Sequence, residues 1–276
     1  MFTRMIRTLQ TLAVEATAIL AASQASANVL YGSAFFNSLS RSQLYTMDTG
    51  TGRATIVGGN TGAVFPGLAF SPTGSLFGSG STLWSVSQGT GNATAIGKLP
   101  ELVVSIAFNP AGQLWGIGNG TGTLWQLYPA TGQSVTAGFL TGLQSGGIRS
   151  IAFNSQGTLF GIGQGVLYDV DTQTFAATAI AALTPCCTVS GLAFGPNGEL
   201  FTSQGVSLFG TSTLSTIQIA SGDLSPIGAA TITPPALFVE GLAFSVTPVP
   251  EVGTGALLAA GLLVIGIYSR RIRADA

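Results

Sequence analysis

Asp169 and Asp171 are the one close pair of carboxylates in this chain. Two residues apart on a strand, they would present both side chains to one face. There they could work as an acid/base pair on a glycosidic bond or share a calcium ion. Yet Asp171-Thr172-Gln173-Thr174 matches Asp48-Thr49-Gly50-Thr51, and in such a turn an Asp oxygen accepts backbone N–H bonds. We adopt the turn role, with metal binding by Asp169 and Asp171 as the alternative. The two cysteines are adjacent, Cys186-Cys187. Either they join as a vicinal disulfide that stiffens one loop, or they stay as neighbouring thiols. The chain has no histidine, which removes the Ser-His-Asp triad, the usual general base and the usual zinc ligand. Gly116-Ile117-Gly118-Asn119-Gly120 lacks the strand-to-helix setting of a phosphate cradle and reads as hairpin glycine. No catalytic residue and no cofactor are therefore assigned.

Composition narrows the partners. Between residues 28 and 248 four basic side chains (Arg41, Arg53, Lys98, Arg149) face seven acidic ones (Asp48, Glu101, Asp169, Asp171, Glu199, Asp223, Glu240), a net charge of −3. No basic patch exists for nucleic acid. With 39 glycines in 276 residues and no long charged helix-forming segment, the composition suits short strands and tight turns.

The elements that must position any site emerge from a repeat. One tripeptide recurs as Leu68-Ala69-Phe70, Ile106-Ala107-Phe108, Ile151-Ala152-Phe153, Leu192-Ala193-Phe194 and Leu242-Ala243-Phe244, at spacings of 38, 45, 41 and 50 residues. That is the range of one propeller blade. The first four copies run into Ser71-Pro72-Thr73-Gly74, Asn109-Pro110-Ala111-Gly112, Asn154-Ser155-Gln156-Gly157 and Gly195-Pro196-Asn197-Gly198. These are type I turn sequences. Second strands follow at Leu76, Leu114, Leu159 and Leu200, and third strands at Leu83-Trp84, Leu124-Trp125 and Leu167-Tyr168. Four short antiparallel strands per repeat predict an all-β propeller.

The first repeat begins at its second strand, Leu30-Tyr31-Gly32, and the last copy, 242 to 244, is a first strand alone. The C-terminal strand should therefore complete the first blade, removing two free sheet edges. This counting gives five four-stranded blades; six remain possible if 205–222 or 128–148 conceals further strands. The five repeat phenylalanines should pack between blades, each burial contributing about 1.5–3 kcal/mol. Trp84, Trp115 and Trp125 read as packing residues, with a sugar-stacking surface as the alternative. At the level of pattern the repeat resembles those of NHL and related propellers.

Both ends carry targeting patterns. Arg4 and Arg7 precede an apolar stretch over 8–22, and Ala25-Ser26-Ala27 places small residues at a cleavage site. The leader is thus 1–27 and the mature chain starts at Asn28. The other end reads Val249-Pro250-Glu251, an uncharged apolar run from Val252 to Tyr268, then Arg270, Arg271 and Arg273. Seventeen residues of helix span roughly 25 Å, enough for a thin bilayer. The arginines place the C-terminus in the cytoplasm.

Motif, membrane-length run and Arg cluster together (248–276) resemble the PEP-CTERM sorting signal. Val252 stands where that pattern usually has a second proline. The resemblance implies a protein exported across the inner membrane of a Gram-negative bacterium and handed to exosortase, after signal peptidase has acted. The destination would be the cell surface or extracellular matrix. A plain C-terminal membrane anchor is the alternative. The domain over 28–247 is then expected to be a non-enzymatic binding module for exopolysaccharide or surface proteins. A lyase or glycosidase acting on exopolysaccharide, or an unprocessed tethered structural domain, are the other readings.

Overall fold

A computed structural model describes residues 28–36, 41–59, 61–144, 146–185, 188–206, 211–227 and 238–246. The leader, the Cys186-Cys187 pair and the tail motif, apolar run and arginines lie outside the described residues. Among the described residues no helix is long and apolar enough to cross a membrane.

Strands β1 (Leu30–Phe36), β2 (Arg41–Met47) and β3 (Ala54–Ile56) open the first blade. The second holds β4 (Gly67–Phe70), β5 (Leu76–Ser79), β6 (Thr82–Val86) and β7 (Ala93–Lys98). The third holds β8 (Val103–Phe108), β9 (Leu114–Gly118), β10 (Thr123–Tyr128) and β11 (Gln133–Phe139). The fourth is β12 (Ser150–Phe153), β13 (Leu159–Gly163), β14 (Val166–Val170) and β15 (Ala177–Ala182). The fifth is β16 (Thr188–Phe194), β17 (Leu200–Val206), β18 (Thr211–Ile217) and β19 (Leu224–Pro226). Last comes β20 (Phe238–Phe244). β20 pairs antiparallel with β1 and completes the first sheet in the order β20-β1-β2-β3.

The protein is a five-bladed β-propeller, closed as the repeat requires. The long stretches 128–148 and 205–222 contain β11 and β18, members of the third and fifth blades, and the described residues form no sixth sheet.

Each first strand, carrying the repeated tripeptide, lies innermost. Its neighbours around the axis run β20, β4, β8, β12, β16 and back to β20. The buried apolar side chains fall into five clusters, one for each blade–blade interface. An aromatic residue at the start of each second strand meets the repeat phenylalanine of the next blade. The pairs are Tyr31–Phe70, Phe77–Phe108, Trp115–Phe153, Phe160–Phe194 and Phe201–Phe244, with ring centroids 5.1–6.3 Å apart in tilted or edge arrangements. Such geometry suits the ring quadrupoles and adds about 0.5–1.5 kcal/mol per pair beyond area burial. The repeat phenylalanines do lie between blades.

The four turns after the tripeptides close alike. Gly74, Gly112, Gly157 and Gly198 donate N–H to the carbonyls of Ser71, Asn109, Asn154 and Gly195 at 2.9–3.1 Å. All four glycines have φ between 79° and 89°, in the left-handed region that a Cβ disfavours. Glycine is thus required there by backbone conformation.

Candidate functional site

The five inner strands surround the axis, and where they end a cavity of about 440 Å³ opens. Its floor is the repeated Leu/Ile-Ala-Phe of all five blades. Alanine at the centre of each tripeptide follows from the ring size. Five strands converging on one axis leave little room, and Ala69, Ala107, Ala152, Ala193 and Ala243 are all buried. Phe108, Phe153, Phe194 and Phe244 are half-buried, so part of each ring remains open. The rim comes from the turns: Pro72, Pro110, Pro196, Asn109, Asn154 and Ser155, with Asn28 just before β1 and Ser245 just after β20. No charged side chain lines this cavity.

Asn109 and Asn154 occupy the same turn position in adjacent blades but differ in commitment. The Oδ1 of Asn109 accepts the N–H of Gln113 at 2.9 Å, and its Nδ2 donates to Gln113 Oε1 at 2.8 Å. The Oδ1 of Asn154 accepts N–H bonds from Gln156 (3.1 Å) and Thr158 (2.8 Å). Its Nδ2 has no partner among the described residues; threonine stands at 158, where Gln113 carries the acceptor in the neighbouring turn.

At the other end of the inner strands, polar groups enter the shaft. Ser33 and Ala34 of β1 face Gly241 and Val239, so Glu240 is bulged out of the ladder. Bulges re-aim side chains in this way. Arg149, exposed, precedes β12, which is not a ring neighbour of β20. Burial pushes the Glu240 carboxyl above the usual carboxylate range, and Arg149 draws it partly back.

The residues singled out in the sequence are placed as follows. The Oδ1 of Asp171 accepts N–H bonds from Gln173 (2.7 Å) and Thr174 (3.0 Å), and these bonds hold its carboxyl below the usual range. Asp48 does the same with Thr51 and Gly50 at 2.7 and 2.9 Å, and also accepts from the Thr51 hydroxyl. Both aspartates close turns. Asp169 is exposed on β14, near Asp171 along an open surface hollow. No cluster of three or more His, Cys, Asp or Glu exists among the described residues. The tryptophans pack. Trp84, Trp115 and Trp125 are half-buried against the interface clusters, and Trp125 Nε1 donates to Glu101 Oε1 at 2.7 Å. None of the three lines the axial cavity.

Sequence reasoning did not locate the cavity, the free amide of Asn154 or the Arg149–Glu240 pair. The available signal was the run from four of the five tripeptides into a turn ending in glycine, which places those four turns at one end of the ring.

No family model and no curated protein matches the chain. Solved structures do. A chain of the nidogen/laminin complex is similar with a TM-score of 0.54 at 11% identity, covering 80% of this chain and 99% of that one. A symmetrical protein from a study of de novo evolutionary emergence is similar with a TM-score of 0.52 at 17% identity, covering 81% and 100%. A structural-genomics protein of unknown function from Bacteroides thetaiotaomicron gives 0.52 at 12% identity, covering 79% and 64%. The likeness is one of fold.

Proposed function

We propose that the chain is an exported, exosortase-sorted protein of the cell surface or extracellular matrix, whose propeller is a non-enzymatic binding module. The observation that carries the binding role is the axial cavity. It is concave, apolar-floored and ringed by a few polar groups, which is how small-molecule sites are built. The sorting role rests on the leader pattern and on Val249-Pro250-Glu251 with the apolar run and the arginines behind it. Signal peptidase and exosortase are its processing partners, and exopolysaccharide or surface proteins its ligands.

The test is the fate of the tail. One epitope tag is placed in the β17–β18 connection and another after Ala276, and the chain is expressed in a host with exosortase. The inner tag should reach the surface or medium without residues beyond about 250. Retention of both tags together in the membrane would sink the sorting reading and leave a tethered propeller.

A further inference from the structure

We infer that the axial cavity takes an uncharged saccharide unit of a larger glycan. The inference rests on the binding-module reading above and names the ligand class for the same cavity.

Three observations converge on that chemistry. The lining contains no Asp, Glu, Lys or Arg, so nothing compensates the desolvation of an ionic ligand, and burying an unpaired charge is expensive. No side chain of the lining therefore favours an acidic or a basic ligand. The floor is aliphatic and aromatic, with four phenylalanines left half-open. It needs a ligand with an apolar face, such as the C–H face of a sugar ring. The rim presents amides and hydroxyls, among them the Asn154 Nδ2 that has no partner among the described residues. A pure hydrocarbon would cover that donor without bonding it, at a cost of about 1–3 kcal/mol. A neutral sugar satisfies all three conditions, because its hydroxyls accept as well as donate.

Size and approach agree. At about 440 Å³ the cavity falls in the range of small-ligand sites. It is open on the turn side, so a residue within a longer glycan could enter while its neighbours stay in solvent. A proline-rich peptide would also match the apolar floor, and its carbonyls could accept from Asn154 Nδ2. Without N–H or hydroxyl, however, it has no donor for the rim's oxygens, which a sugar's hydroxyls supply.

The experiment uses the full chain in a detergent without a sugar headgroup. It is titrated with neutral gluco-, galacto- and manno-configured tetrasaccharides by calorimetry and saturation-transfer NMR. Asn154→Asp keeps the Oδ1 that closes the turn, removes the free donor and adds a charge at the rim. Ala152→Leu fills the floor instead, and thermal melts report whether each variant is folded. At least one neutral tetrasaccharide should bind, with saturation transfer to its ring C–H protons. Asn154→Asp should weaken it about tenfold or more, and Ala152→Leu should abolish it. No binding by any of the three at millimolar concentration overturns the inference, as does equal binding to folded variants. Binding of an oligogalacturonate or a proline-rich peptide in place of the neutral sugars overturns it too. Those failures leave the sorting reading untouched, since that is decided by where the two tags travel.

Discussion

The hydroxyl of Ser203 stands where a side chain on Gly191 would go. The Gly191 N–H donates to Ser203 Oγ at 2.8 Å, and that hydroxyl donates to the Val239 carbonyl in the first blade at 2.6 Å. A Cβ on Gly191 would lie 2.9 Å from Ser203 Oγ and 2.7 Å from Leu242 Cγ. The relationship repeats. Gly67 is crowded by Ser79 and Gly241 by Ser33, whereas the two inner strands that carry serine, at Ser105 and Ser150, sit beside Ile117 and Ile162 at the matching second-strand position. Gly191→Ala should therefore destabilise the fold by about 1–3 kcal/mol through overpacking. Ser203→Ala should cost about 1–3 kcal/mol by unpairing buried backbone groups. Denaturant titration of each single variant checks both. A loss below about 0.5 kcal/mol for either would mean that the interface relaxes more easily than this close packing implies.

Ring closure depends on the contact of Phe201 with Phe244, whose ring centroids are 5.1 Å apart. Phe244→Ala should cost about 3 kcal/mol, the low end for such truncations because this ring is only half-buried. Phe194→Ala removes an equivalent pair inside the ring, Phe160–Phe194, and should cost about as much. Hydrogen exchange should separate the two variants. Loss at Phe244 should raise exchange first in β1 and β20, because that seam alone is not held by a covalent connection within the blade.

Asp48 and Asp171 are held below the usual carboxylate range by backbone N–H bonds. They contribute stability that is present above the unfolded pKa, near 4, and lost as pH falls through the depressed folded value. Asp48→Asn and Asp171→Asn should leave stability nearly unchanged at pH 2 and lower it at pH 7. A mutational loss of equal size at both pH values would show that charge plays no part in these turns.

Glu240 has the opposite sign. Its pKa is raised by burial, so its contribution is present below the unfolded pKa and is lost as pH rises through the raised folded value. Glu240→Gln should stabilise the protein at pH 7 and have little effect at pH 3. Arg149→Ala should enlarge the gain by removing the one charge that draws Glu240 down. If Glu240→Gln is destabilising at neutral pH, the attraction to Arg149 outweighs desolvation and the balance is reversed.

Much of this architecture is legible in order along the chain. Leu-Ala-Phe, the Pro/Gly turn and the second-strand Leu-Phe-Gly are neighbours in sequence and pair with one another, so periodicity points to five blades. Only the structure assigns the two long stretches to existing blades. The truncated first and last repeats likewise determine that β20 joins β1, since an incomplete blade at each end has one complementary partner. The turn role of Asp171 is local and could be read from its likeness to Asp48. What only the tertiary structure decided lies on the axis. Residues some 90 positions apart, such as Arg149 and Glu240, come within electrostatic reach of each other. Asn154 and Asn109 differ only through a third residue each, Thr158 or Gln113. Strand pairing within a blade is a nearest-neighbour property of sequence. The shaft and its cavity are made where five separate segments converge, and their depth, charge and free donors are set by distances that no spacing along the chain records.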